Sequence, residues 1–284
     1  MQSNNPVFRR SEEFNRAGGN KSFAGYGDPS TWSTGQPGQP GQQGYGTPQP
    51  PADTARMTID SVVQKTAISL GVVIITALAT WILTPEVTQA SAMSDIAPLI
   101  TALTIGSLGA FALSLVNSFK KVISPALVLA FCALEGVALG GLSKLFNIAY
   151  GAGVVQGAVI GTFAAFAGTL AVYKFFNIKV GAKFQRMVMA AVFGMVGLSL
   201  MELVLGAFGA QIGLFGVSKL GMITAFAGLI LGVFMLIMDF DFVEQGIANG
   251  LPERESWRAA FAMTVSLVWI YTNLLRILAF FSQD

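Results

Sequence analysis

The chain has 284 residues, of which 53% are apolar and only 11% charged, with a formal net charge of +2. An ordinary soluble domain carries about 25% charged residues, so this composition excludes a water-soluble globule. There is no basic run and no Arg-rich helix, which leaves nucleic-acid binding without support. The chain has no histidine, so the commonest metal ligand and the usual general base near neutral pH are both missing.

Residues 1–52 are rich in Gly, Pro, Gln, Ser and Asn, with a near-repeat from Gly35 to Gly46. Such a segment buries too little apolar surface to offset its ordering entropy. It is expected to be a bare, disordered cytoplasmic tail, the alternative being a short recognition element near Pro6 to Arg10. No apolar core of a cleavable signal peptide precedes residue 55, so the first apolar segment is expected to act as an uncleaved signal anchor.

Residues 53–284 carry the apolar runs, and about 20 apolar residues cross a hydrocarbon core of about 30 Å. Thr58 to Gln64 has the look of a helix start, with Thr58 or Asp60 in the first turn. Seven spans are predicted: Thr66 to Leu83, stopped by Pro85; Ala97 to Phe119; Ile123 to Leu142, with Pro125 in its first turn; Gly153 to Tyr173; Met187 to Phe208; Leu220 to Asp239; and Trp257 to Phe281. The fold class is therefore an all-α integral membrane protein with seven transmembrane helices.

Lys and Arg cluster on alternate connections. Arg56 and Lys65, Lys120 and Lys121, Lys174 to Arg186, and Arg254 with Arg258 share one side; Lys144, Lys219 and Arg276 are alone on the other. The positive-inside rule puts the N-terminus in the cytoplasm and the C-terminus outside. A multi-pass protein of the cell (inner or plasma) membrane is expected. Glycines at one-turn spacing (Gly136 and Gly140; Gly153, Gly157 and Gly161; Gly228 and Gly232) suit close helix packing in lipid. Cys132, the only cysteine, has no partner within the chain for a disulfide and is expected to be a small buried hydrophobe.

Acids within spans carry the functional signal, because an ionised carboxylate at the bilayer centre costs about 2.5–3.5 kcal/mol on insertion scales. Glu135 lies about 12 residues into the third span, about 18 Å along it, near mid-membrane. It either bonds a neighbouring helix as packing glue or handles an ion or proton. Glu202 lies toward the outer end of the fifth span and suits a structural role or an outer polar site. Asp239 and Asp241 are placed at the cytoplasmic end of the sixth span, followed by Glu244, Glu253 and Glu255, for which interfacial solvation is expected. A helix C-terminus disfavours an acid, so Asp239 and Asp241 call for another explanation: calcium, which takes oxygen ligands, or proton sharing between close acids. Arg276 is expected to snorkel outward. The last span has no lysine, which excludes a retinal Schiff base, and no Ser–Lys, His-based or paired-aspartate arrangement points to an enzyme. No cofactor is expected, calcium entering only as a transported ion.

Four motifs resemble one family. Ser124 to Gly136 carries a Ser-Pro start and a Glu-Gly end; Gly161 to Gly168, Ile237 to Asp239 and Leu274 to Arg276 follow in order. Together they resemble the transmembrane Bax inhibitor motif family, bacterial branch, over about Thr58 to the C-terminus. The resemblance implies a last helix enclosed by the other six and a pH-sensitive calcium leak. In that family an aspartate ending the sixth helix shares a proton with one in the seventh. Asp239 matches the first, with Asp241 close behind; counting back from Arg276, the second falls on Ser266. The shared-proton pair is thus incomplete, unless Glu135 or Asp241 substitutes. The other reading is a non-transporting regulatory protein that acts through membrane-protein partners in stress response or membrane proteolysis. The lipid bilayer is the expected environment, and monomer and small oligomer both fit.

Overall fold

A computed structural model describes residues 55–88, 93–176, 178–210 and 212–283. The tail predicted for residues 1–52 lies outside the described residues. Seven helices follow one another: α1 Ile59–Leu83, α2 Met93–Phe119, α3 Pro125–Tyr150, α4 Ala152–Phe175, α5 Ala182–Ala207, α6 Lys219–Ala248 and α7 Glu255–Phe281. All seven are long and apolar enough to cross a membrane. Among the described residues the only β pairing is an isolated antiparallel bridge between Arg56 and Pro252.

The start of α1 is fixed by a capping box. Thr58 Oγ1 accepts from the Ser61 backbone N–H at 3.1 Å, and Ser61 Oγ accepts from that of Thr58 at 3.0 Å. Pro125 opens α3, where its missing N–H has no helical partner to lose. Gly151, at φ 91°, is the single residue between α3 and α4, a conformation that suits glycine.

Two predicted boundaries are wrong in an informative way. The third helix was expected to end at Leu142 but runs to Tyr150. Lys144, expected in a loop, is therefore helical and buried. Its Nζ donates to the carbonyls of Trp81 and Thr84, both at 2.8 Å, and so places a positive charge at the C-terminus of α1. The sixth helix was expected to end at Asp239 but continues to Ala248. Asp239 is thus about two and a half turns short of the end. Polar residues there lower the local hydropathy without breaking the helix, because Phe240 and Phe242 are buried between them.

α7 packs extensively against α1, α3, α4 and α6. α2 leans mainly on α3, and α5 mainly on α6. Most of the spaced glycines sit at these contacts. A Cβ on Gly136 or Gly140 would run into the α1 backbone at Val73 or Ala77, and one on Gly232 would lie 2.6 Å from Ile270 Cγ1 of α7. Gly157 and Gly161 face Leu278 and Leu274. Gly153 is the exception, with nothing within 4 Å, so its spacing has no packing counterpart.

Candidate functional site

α6 and α7 are consecutive, antiparallel and drawn together by Gly228, which abuts Asn273, and Gly232, which abuts Ile270. That approach brings Asp239 of α6 against Ser266 of α7, whose hydroxyl donates to Asp239 Oδ2 at 2.6 Å. Asp239 is 3% exposed and Ser266 1%, so the pair is removed from solvent and lipid alike. Both line a cavity of about 180 Å³. Its remaining polar lining is Ser114 and Ser118 of α2; its walls include Val188, Met189 and Val192 of α5, Met235 and Met238 of α6, and Phe261 of α7. The cavity lies toward the end of the bundle where α2 and α6 finish and α5 and α7 begin.

Asp241 does not join Asp239. Residues two apart on a helix point to different sides. Asp241 accepts from Gln245 Nε2 at 2.7 Å and from the backbone N–H of Val180, in the α4–α5 connection. The two carboxylates therefore do not converge as joint ligands, and no three of Asp, Glu and Cys gather as a metal-binding group among the described residues.

The neighbouring acids correct the expectation of plain solvation. Glu244 accepts from the Tyr173 hydroxyl at 2.6 Å. Glu253 pairs with Lys65 at 2.8 Å. Glu255 is fully buried and pairs with Arg258 at 2.8 Å, and Arg258 also donates to the Lys121 carbonyl. Glu253 meets Lys65 because the connection after α6 folds back on the start of α1: Met57 N–H donates to Leu251 O at 2.7 Å, and Glu253 N–H to Ala55 O at 2.9 Å.

Glu135 is half-buried and stands apart from this end of the bundle. On α3 it shares a stripe with Phe131, which meets Phe261 of α7 edge-on at 5.0 Å, and Ser143, which hydrogen-bonds Tyr271 at 2.6 Å. That stripe aims it toward α7, with no hydrogen bond to its carboxyl among the described residues. Glu202 accepts from the Gly213 backbone N–H at 2.7 Å and so pins the α5–α6 connection.

Arg276 does not snorkel. It is buried, and Nη2 donates to Leu214 O, Gly221 O and Thr224 Oγ1 at 2.7–2.8 Å, while the guanidinium lies over the Phe215 ring. Leu214 in the α5–α6 connection and the first two turns of α6 supply these acceptors locally, which removes the need to reach the interface.

A family model described as "Bax inhibitor 1 like" matches residues 5–283. The chain belongs to the Bax inhibitor 1 like family. A comparison with curated proteins found no match. The family match starts well before Thr58 and so includes most of the Gly/Pro/Gln-rich segment, beyond the reach of the four motifs. Within this Bax inhibitor 1 like chain, position 266 as the place opposite Asp239 is what the resemblance implies; the Ser266 hydroxyl bonding the carboxylate is what the structure adds. The resemblance does not imply the α2 side of the cavity. Ser114 and Ser118 are one turn apart on one helix face, a spacing that signals a shared surface, but serines in a span attract no notice until a carboxylate lies opposite.

Proposed function

We propose that the chain is a non-enzymatic cation leak of the cell membrane, passing calcium, and that the protonation state of Asp239 controls passage. The observation that carries this reading is the Asp239 carboxyl in the floor of the cavity, held by one hydroxyl, Ser266, at 2.6 Å. A resident calcium takes 6–8 oxygen ligands. The lining offers one carboxylate and the hydroxyls of Ser114, Ser118 and Ser266, a donor set suited to an ion that enters and leaves. Adding a proton at Asp239 removes the only charge among the lining residues. In the orientation favoured by the Lys and Arg distribution, the cavity sits in the cytoplasmic half of the membrane.

The test is calcium flux into proteoliposomes across a pH series. Wild type is expected to show a pH-dependent flux. Asp239→Asn, permanently uncharged, should give a flux that no longer follows pH. Ser266→Asp supplies a second carboxyl within proton-sharing distance and should steepen the response. Flux no greater than from empty liposomes at every pH overturns the reading.

A further inference from the structure

We propose that the Asp239 cavity is a binding site for a small lipophilic monocation, a protonated amine with a compact apolar body, that reaches it sideways between α2 and α5. The proposal goes beyond ion passage and does not require it.

Three observations converge. The first is the charge inventory. Asp239 is the only ionisable residue in the lining, so a single positive charge resident there neutralises the site. An ammonium group offers three donors, and the floor and rim offer acceptors in Asp239 and the three serine hydroxyls. The second is the walls. Val188, Val192, Met235, Met238, Phe261 and Val265 present an apolar surface that holds a hydrocarbon body well. Thioether side chains add adaptability to the shape of the occupant. The third is access. Burial is graded: Asp239, Ser266 and Phe261 at the floor are buried, whereas Ser114, Ser118, Met189 and Val192 on α2 and α5 are half-buried. α2 and α5 are the two helices with the least buried surface, and each relies chiefly on a single neighbour. The mouth therefore opens between two lipid-facing helices, and an amphiphilic amine dissolved in the bilayer meets it directly.

The experiment titrates the full chain in nanodiscs with cyclohexylammonium and, separately, with cyclohexanol, its uncharged counterpart in shape, with empty nanodiscs as the blank. Saturable binding of the ammonium, at least about tenfold tighter than the alcohol, is expected. Asp239→Asn should weaken the ammonium about tenfold and leave the alcohol unchanged. Val265→Trp, which keeps the carboxyl and fills the space, should abolish both. Equal affinity of alcohol and ammonium, undiminished ammonium binding by Asp239→Asn, or unchanged binding by Val265→Trp overturns the proposal. Ammonium binding without calcium flux would sink the leak and keep this site; flux without ammonium binding would do the reverse.

Discussion

The two sides of the bundle are held together differently. Around α3 and α7, half of each span is buried, glycines bring backbones into contact, and cations are locked onto carbonyls or carboxylates. α2 and α5 bury only 17% and 11% of theirs. In lipid there is no hydrophobic force to pull helices together, so close packing and interhelical hydrogen bonds decide which ones move as a unit. The α1–α3–α7 side has both and forms a frame. α5 has few of either, whereas α2 has both but only toward α3, where a Cβ on Gly106 would lie 2.7 Å from Ala138 N and Asn117 donates to Leu127 O at 3.2 Å; the cavity with Asp239 lies where α2 and α5 meet the frame.

Breaking the frame should cost most. Arg258 and Glu255 are fully buried and paired, so Arg258→Met leaves a buried carboxylate without its ion-pair partner. The expected loss is about 3–5 kcal/mol, read as a lowered midpoint in unfolding from bicelles. Changing both residues together, Glu255→Leu with Arg258→Met, should recover much of that loss. A single variant as stable as wild type would remove the ion pair from the frame.

Arg276 is the point where the frame reaches over to the loose side, because it holds the α5–α6 connection at Leu214 and the first two turns of α6 at Gly221 and Thr224. Arg276→Met is expected to cost about 1.5–3 kcal/mol, the range for hydrogen bonds to a charged group. The distinguishing readout is local: backbone amide exchange around Gly213 to Gly221 should accelerate while α3 stays protected. Uniform acceleration throughout the bundle would mean that Arg276 is part of the frame itself.

The fold was legible to different depths in different places. Span number and sequence were plain, because an apolar run of about 20 residues has few alternatives. Hydropathy misplaces helix ends where charges sit inside helices. Lys144 and Asp239 lower hydropathy as a loop does, and only their partners, the end of α1 and Ser266, show why the helix continues. Position 266 as the counterpart of Asp239 rests on the family resemblance, which marks a missing carboxylate there, and the hydrogen bond from Ser266 is legible only in the structure. The partners of Glu244, Glu253 and Glu255 were not legible either, since Tyr173, Lys65 and Arg258 meet them through tertiary folding that no local spacing encodes. The same applies to the α2 wall of the cavity.

The smallest expected effects come from one substitution made on each side. Gly136→Ala puts a methyl group against the Thr76 hydroxyl and into the α1 backbone at Val73, and the backbone atoms cannot turn aside. Helix separation must grow, at an expected cost of about 1–3 kcal/mol. Gly197→Ala, on α5, meets nothing within 4 Å. There the substitution only removes backbone freedom from the unfolded chain and should stabilise by about 0.4–1 kcal/mol. The same added methyl group is thus expected to change sign across the molecule. Unfolding midpoints of the two variants, measured side by side, decide it. If Gly197→Ala proves as damaging as Gly136→Ala, α5 packs against a surface in the membrane that the isolated chain lacks, and the loose side is closed by a partner.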